Sequence, residues 1–165
     1  MKKAEAVRNK IFTLESLEIR LLQWRKQNIK IVFTNGCFDI LHLGHVDYLS
    51  KAADLGDVLV LGLNTDASVS RIKGPDRPVN DEVSRSFIMA SLEFVDAVVL
   101  FDEPTPYHLI HIVQPDVLVK GKDYNAEDVV GYDIVTAKGG IVETIDLVEG
   151  YSTTSIIQKI LRTEK

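Results

Sequence analysis

Five short apolar runs recur along the chain, and each is followed by a segment with helical character. The runs cover residues 31–34, 58–63, 97–101, 117–119 and 141–145. They are nearly continuous rather than alternating, which is the pattern of parallel strands that helices cover on both faces. The regular alternation of strand and helix predicts an α/β, doubly wound parallel five-stranded sheet with right-handed crossovers.

Helical segments are predicted at 14–27, 44–54, 66–71, 81–93, 105–113, 126–137 and 152–162. In the first of these, Leu14, Leu17, Leu21 and Trp24 share one helix face, and Thr13 is a suitable N-cap. This helix covers a sheet edge or packs against a partner subunit. We expect one domain over 1–165, made of an N-terminal helical extension (1–29) and a catalytic core (30–162), since no repeat or linker interrupts the chain.

Composition limits the possible partners. The 165 residues carry a net charge of −5, which does not favour a nucleic-acid partner. No apolar run approaches the length of a membrane span, and no apolar segment follows the basic first residues, so we expect no membrane partner and a cytoplasmic location. Cys37 is the single cysteine, so it has no intrachain disulfide partner, and we expect it to be packed rather than reactive.

The junction after the first core strand carries the strongest chemical signal. Doubly wound folds bind ligands where the carboxyl ends of strands lead into helices. Here His42 and His45 stand three residues apart at a predicted helix start, so their imidazoles share one face. Gly44 between them allows a ligand close to the backbone, and the N–H groups of a helix start attract phosphate. The pattern predicts a phosphate site.

A second hydroxyl-rich turn opens the last predicted helix. Taken alone, Ser152, Thr153, Thr154 and Ser155 form a good N-cap. Together with the histidine junction, their hydroxyls and free N–H groups favour a site for the outer phosphates of a nucleoside triphosphate.

The histidine segment resembles the His-x-Gly-His signature of the cytidylyltransferase-like nucleotidyltransferase superfamily, whose members share a Rossmann-like fold. Most of the domain is similar to the adenylyltransferases that act on D-glycero-β-D-manno-heptose 1-phosphate. The matching stretches are 33–42, 63–68, 73–80 and 115–124. The resemblance implies that ATP and heptose 1-phosphate give ADP-heptose and pyrophosphate, for lipopolysaccharide or surface-glycan precursors. It also implies a homo-oligomer and a separate heptose kinase upstream.

Two positions separate the chain from related cytidylyltransferases. Those enzymes usually carry arginine where this chain has Glu93 and Leu147. Within the heptose group, Lys122 stands where glycine is expected and adds charge near the acceptor region.

The resemblance implies a role for each candidate residue. His42, His45 and Lys73 are the catalytic candidates, with Lys73 closing over the phosphates; a solvated surface lysine is the alternative. The nucleotide-binding candidates are Thr34, Asn35, Gly36, Cys37, Phe38, Gly44, Arg85, Lys120, Gly121, Ser152, Thr153 and Thr154. Arg85 would grip phosphate or pair with Asp81. The acceptor-binding candidates are Asp39, Asp123 and Tyr124, and Asp39 could instead hold a loop amide. We expect Mg²⁺ as the counter-ion of ATP and no metal ligands in the protein.

Other functions stay open. The same chemistry could serve glycerol 3-phosphate with CTP, or pantetheine phosphate or FMN with ATP. A regulatory nucleotide-binding module is disfavoured by the intact histidines, and a dinucleotide oxidoreductase by the lack of Gly-x-Gly-x-x-Gly at the first junction. His108 and His111 also stand three apart, but no further ligand completes a metal site, so we expect them to be solvated or packed.

Overall fold

One parallel β-sheet forms the centre of the computed structural model, which describes residues 2–123 and 125–163. The six strands are β1 (Ile11–Phe12), β2 (Ile31–Gly36), β3 (Val58–Asn64), β4 (Ala97–Phe101), β5 (Val117–Gly121) and β6 (Ile141–Ile145). They lie in the order β1-β4-β3-β2-β5-β6, and every neighbouring pair is parallel. The α/β doubly wound fold is confirmed, and each of the five predicted strands begins at its predicted residue.

The prediction of five strands is wrong by one. The additional strand, β1, pairs Ile11 with Val98 and Phe12 with Val99 at the edge of the sheet. Two residues are too few to show a period-two pattern. This strand exists only because β4, distant in sequence, offers a free edge.

Eight α-helices are described in these residues: α1 (Lys3–Arg8), α2 (Leu14–Lys26), α3 (Leu43–Ala53), α4 (Asp66–Lys73), α5 (Glu82–Ala90), α6 (Tyr107–Val113), α7 (Tyr132–Ala137) and α8 (Thr153–Thr163). The hydroxyl of Thr13 caps α2 by accepting from the N–H of Ser16, as expected. On α2, Leu17 and Leu21 are completely buried in the same apolar cluster as β4 and α6. The predicted N-terminal helix, α2, therefore packs into the chain's own core.

The predicted helix 126–137 is interrupted. A 3₁₀ turn (Ala126–Asp128) precedes α7, and Gly131 between them has φ of 92°. A Cβ at this position would lie 2.8 Å from two atoms of the Ile110 side chain. Close packing on α6 and the left-handed backbone together require glycine there and separate the two elements.

Helices cover both faces of the sheet. Helices α2, α6 and α7 pack on one face, and α3 and α5 pack on the other. The chain runs from β2 through β3 to β4 in one direction, then crosses to β5 on the other side of β2. The carboxyl ends of β2 and β5 therefore border the crevice where a doubly wound sheet binds ligands. None of the helices in the described residues is both long and apolar enough to cross a membrane.

Candidate active site

A cleft of about 530 Å³ opens at the carboxyl ends of β2 and β5. Its lining comes from the loop after β2, the start of α3, the end of α4, the end of β5 and the turn before α8. The lining residues are Asn35, Gly36, Cys37, Phe38, Asp39, His42, Gly44, His45, Tyr48, Ile72, Lys73, Arg77, Lys120, Gly121, Asp123, Leu147, Val148, Tyr151, Ser152, Thr153 and Thr154. Both sequence motifs and the intervening loops thus meet in one cavity.

The two histidines of the first junction stack against each other at the start of α3. His42 is the N-cap residue, and its side chain makes no capping hydrogen bond. The ring centroids of His42 and His45 lie 3.7 Å apart with an interplanar angle of 22°. Both Nδ1 atoms are buried, and neither has a hydrogen-bond partner in the described residues. A buried polar atom of this kind calls for a ligand or water.

Both imidazoles are held in the neutral form. Burial and, to a smaller extent, the neighbouring His42 together lower the pKa of His45 to about 4, and the carbonyl of Ile40 opposes this shift only in part. Burial also lowers the pKa of His42. A neutral imidazole carries one N–H donor and one acceptor, so near pH 7 this pair offers donors without a fixed positive charge.

The space around Gly44 at the helix start is tight. A Cβ on Gly44 would lie 3.1 Å from the Cε1 and Nδ1 atoms of the His42 ring and 3.4 Å from the Cβ of Tyr151. The same position therefore touches both motifs. The hydroxyl of Thr153 also donates to the carbonyl of Ile40 at 3.4 Å. These contacts bring the turn before α8 directly beside the histidine junction.

The hydroxyls of this turn divide between capping and the cleft. Ser152 Oγ accepts from the N–H of Ser155 at 3.0 Å, so it caps α8. Thr153 is committed to the Ile40 carbonyl. The hydroxyl of Thr154 makes no hydrogen bond within the part of the chain that is described, and Thr154 lines the cleft. Capping and ligand contact are thus both compatible with the turn.

Cationic side chains line the cleft although the whole chain is acidic. Lys120 donates from Nζ to Asn35 Oδ1 at 2.5 Å, which connects β5 to β2. Burial lowers the pKa of Lys120 to about 8, against the opposing effect of Asp123. Lys73 ends α4 at the rim of the cleft. The cleft is therefore suited to an anionic ligand.

Arg85 does not line the cleft, and the structure gives no support to the predicted phosphate contact. Its side chain is fully buried and donates to the carbonyls of Asn80 and Cys37 and to Asp66 Oδ1, at 3.0, 2.7 and 2.7 Å. In the described residues Arg85 forms its ion pair with Asp66, whereas Asp81 caps α5 through the N–H of Ser84 and feels the charge of Arg85 without a direct ion pair. Arg85 fastens the loop after β2 to the segment before α5.

Two further candidates have structural roles. Thr34 is completely buried beneath the cleft, where its hydroxyl donates to the Val119 carbonyl at 3.0 Å and contacts the hydroxyl of Tyr48 at 2.8 Å. Asp39 borders the cleft, but its carboxylate is buried and accepts from Arg77 Nε and from the N–H groups of Val79 and Asn80. Holding loop amides, rather than an acceptor, is therefore its observed role.

The acceptor candidates are placed unequally. Asp123 and Gly121 line the cleft, whereas Tyr124 lies outside the described residues. Lys122 is exposed and pairs with Asp146, with Nζ and Oδ1 2.9 Å apart, so its charge is partly balanced away from the cleft. His108 and His111 are exposed on α6, as expected. In the described ranges no group of three or more His, Cys, Asp or Glu could hold a metal ion.

Several lining residues were not predicted from the sequence. They are Tyr48, Ile72, Arg77, Leu147, Val148 and Tyr151. Arg77 lies within the 73–80 stretch and Tyr151 directly precedes the hydroxyl turn, so proximity to a motif was an available signal for both. Tyr48 follows His45 by three residues on α3 and Ile72 directly precedes Lys73, so the same signal was available for these two.

Comparison with known families and sequences gives consistent matches. Residues 33–159 match the family described as cytidylyltransferase-like. The chain is 57% identical over 153 residues to the bifunctional protein HldE of Syntrophotalea carbinolica and 56% identical over 147 residues to that of Campylobacter jejuni. These alignments cover 93% and 89% of this chain but 31% of each relative. The chain thus spans about a third of the length of these curated relatives.

Two solved structures share the fold. A lipopolysaccharide core biosynthesis protein from Thermoplasma volcanium is 31% identical with a TM-score of 0.60, over 75% of this chain and 99% of that one. Pantoate-β-alanine ligase from Francisella tularensis, complexed with β,γ-ATP and β-alanine, has a TM-score of 0.60 at 19% identity, over 92% of this chain and 78% of that one. The second likeness concerns the fold alone.

Proposed function

The chain belongs to the cytidylyltransferase-like family, and from that premise we propose that it is a heptose 1-phosphate adenylyltransferase. In this proposal ATP and D-glycero-β-D-manno-heptose 1-phosphate give ADP-heptose and pyrophosphate. Identities of 52–57% to proteins named HldE support this assignment of the acceptor. The similarity to a protein named for lipopolysaccharide core biosynthesis agrees with it.

One observation carries the proposal. The stacked histidines at 42 and 45 and the hydroxyl turn at 152–154 line a single cleft at the carboxyl ends of the central strands. A nucleoside triphosphate has a chain of three phosphates that can contact two helix N-termini at once. The starts of α3 and α8 are therefore well placed to receive neighbouring phosphates of one ATP.

The proposed reaction requires little from a general base. A phosphate monoester has a second pKa of about 6, so the acceptor is largely a dianion near neutral pH. One of its oxygens attacks the α-phosphorus of ATP, the new P–O bond forms, and the bond from the α-phosphorus to the bridging oxygen of pyrophosphate breaks. The protein's task is to align two anions and stabilise charge on the leaving pyrophosphate.

The lining residues provide the donors for that task. Neutral His42 and His45 donate N–H groups to phosphate oxygens. Because these imidazoles carry no positive charge, they do not form an ion pair with the acceptor's phosphate. Lys73 and Lys120 supply positive charge at two sides of the cleft. Thr154, the N–H groups at the start of α8 and the backbone of residues 35–38 complete the nucleotide site. We place the acceptor near Asp123, at the end of β5.

Magnesium enters the proposal as part of the substrate. We propose that Mg²⁺ arrives as the counter-ion of ATP, in keeping with its usual binding through phosphates and a few waters. When bound in this way it would neutralise phosphate charge during transfer.

We propose that Leu147 and Val148 make the cleft favour adenine over cytosine. Leu147 occupies the place where related cytidylyltransferases usually carry arginine, and it lines the cleft beside Val148. An apolar wall can pack on the larger face of a purine but offers no donor to the cytosine carbonyl. Glu93, at the other departure from the cytidylyltransferase pattern, is not among the lining residues.

A pyrophosphate-release assay tests the proposal. ATP and CTP should each be supplied with heptose 1-phosphate, glycerol 3-phosphate, pantetheine phosphate and FMN. We expect turnover with ATP and heptose 1-phosphate at least tenfold above every other pair. Turnover with another acceptor alone would refute the heptose assignment and retain the chemistry, and the absence of turnover with all pairs would refute both. A kinase that supplies the sugar phosphate, a homo-oligomeric state and a cytoplasmic location remain predictions.

A further inference from the structure

Arg77 lies in the loop between α4 and α5 and faces the cleft, and the proposed mechanism gives it no role. Its side chain is 15% exposed, and its Nε donates to Asp39 Oδ2 at 2.6 Å. An arginine has five N–H donors, and one of them is used in this contact. Within residues 2–123 and 125–163, the two terminal nitrogens of Arg77 make no hydrogen bond.

Asp39 holds this arginine with a carboxylate that also accepts main-chain hydrogen bonds. Its carboxylate accepts the N–H groups of Val79 and Asn80 at 2.8–2.9 Å in addition to Arg77. Burial raises the pKa of Asp39, but the hydrogen bonds from Asn80 and Val79 and the guanidinium of Arg77 outweigh burial and keep the pKa below its ordinary value. The carboxylate is therefore ionised near pH 7 and remains a fixed anchor.

The anchor joins the two halves of the cleft rim. Asp39 lies three residues before His42, and Arg77 lies four residues after Lys73. Lys73 and Arg77 both line the cleft. The guanidinium is consequently oriented before any ligand arrives, and little of its side-chain entropy remains to be lost on binding.

The contrast with Arg85 isolates what is special about Arg77. Arg85 is fully buried, lies outside the cleft and uses Nε and both terminal nitrogens on protein acceptors. Arg77 lines the cleft and uses Nε alone. The unused end of a fixed guanidinium, in a cleft lined by two lysines and two histidines, matches the geometry of a phosphate oxygen.

We propose that Arg77 binds a phosphate group of a substrate through its terminal nitrogens, and that Asp39 is the positioning residue that presents it. The inference rests on the proposed function for the identity of that substrate. The phosphate belongs either to ATP or to the acceptor, and the two sources share the chemistry that Arg77 recognises.

Calorimetric titrations with ATP and with heptose 1-phosphate, each added alone, test the inference without requiring turnover. For Arg77→Ala, we expect the affinity for one of the two ligands to fall on the order of 10- to 100-fold, the range of a hydrogen bond to a charged group. Arg71→Ala is the matched control, since Arg71 is an exposed arginine on α4 that pairs with Asp102 outside the cleft. Its ligand affinities should match those of the wild type.

Arg77→Lys separates ligand binding from a purely structural role. A lysine has one ammonium group, so it can contact Asp39 or the phosphate but cannot repeat the fixed two-sided geometry. We expect Arg77→Lys to recover the melting temperature more fully than the ligand affinity. For Asp39→Asn, we expect the same ligand to bind more weakly, because the guanidinium is no longer held.

The two ligands identify the source of the phosphate. A loss confined to ATP assigns Arg77 to the triphosphate, and a loss confined to heptose 1-phosphate assigns it to the acceptor. Unchanged affinity for both ligands, or full recovery of affinity in Arg77→Lys, would overturn the inference. If wild-type protein binds ATP but turns over no acceptor, the proposed function fails while weaker ATP binding by Arg77→Ala still supports a phosphate contact.

Discussion

Replacing Arg85 separates a structural arginine from a ligand-binding one. Arg85→Ala removes three hydrogen bonds, to the carbonyls of Asn80 and Cys37 and to Asp66, and leaves a cavity where a fully buried side chain had been. Removing one member of a buried hydrogen-bonded charge pair typically costs about 3–5 kcal/mol. Asp66 is partly solvated, so the lower half of that range is the better expectation.

For a chain of this size, each kcal/mol shifts the melting temperature by about 2–4 °C, so a loss of about 3–4 kcal/mol predicts a decrease of about 6–16 °C. The assay is thermal unfolding followed by circular dichroism, with ATP affinity measured at a temperature where the variant is folded. Arg85→Met is the companion variant, because it keeps much of the packing volume and loses only the hydrogen bonds. We expect it to be intermediate in stability between Arg85→Ala and the wild type.

Ligand affinity supplies the refutation. Because Arg85 does not line the cleft, it offers ATP no direct hydrogen bond, so a loss of ATP affinity in folded Arg85→Ala should appear only together with the loss of stability, through the loop after β2 that Arg85 fastens. An unchanged melting temperature together with a loss of ATP affinity of tenfold or more would refute this reasoning. It would restore the interpretation of Arg85 as a phosphate ligand.

Three other predictions follow from the cleft. Gly44→Ala should keep the melting temperature within a few degrees, since alanine favours helix by about 1 kcal/mol. Its turnover should nevertheless fall at least tenfold, because the new Cβ would press on the His42 ring at 3.1 Å. Equal losses of stability and turnover would contradict this prediction. His45 has a pKa of about 4 against an ordinary 6.5, so the unfolded chain binds its proton first, and stability should fall as pH decreases from 6.5 to 4. Urea unfolding of His45→Gln at several pH values should show a shallower fall, and an unchanged slope would argue against a buried neutral imidazole. Burial raises the pKa of the Cys37 thiol against the lowering effects of Lys73, Arg85 and Arg77. Maleimide should therefore label Cys37 more slowly than it labels glutathione, and more slowly still when ATP is present. Fast labelling that ATP does not affect would place Cys37 outside the nucleotide site.

The sequence patterns predicted the sheet well because its core strands are continuous apolar runs. Strand β1 has no such run, and its two residues become a strand only through pairing with Val98 and Val99. The break before α7 likewise depends on Ile110 packing against Gly131, a contact between distant segments. Local patterns therefore located the elements, and tertiary contacts determined where they end.

In the candidate site, too, the residues in local motifs were predicted and those whose role depends on tertiary contacts were not. The histidine junction and the hydroxyl turn were visible because their chemistry lies in short contiguous motifs. Arg77 and Arg85 were not distinguishable in this way, because they lie only eight residues apart, in the loop before α5 and in α5 itself, and carry the same charge. The positions of Asp39, Asp66 and two main-chain carbonyls determine which of the two arginines uses all its guanidinium nitrogens on protein acceptors. The sequence shows which residues are charged, but the fold determines which partner each charged group contacts.

The central claim is that one ATP touches both motifs, and a crystal structure with a non-hydrolysable α,β-methylene analogue of ATP and Mg²⁺ tests it most directly. The predicted result is a single triphosphate within hydrogen-bond distance of the His42 and His45 rings and of the turn at 152–154. A triphosphate that contacts one of these groups and leaves the other facing solvent, or that lies outside the cleft, would contradict the account.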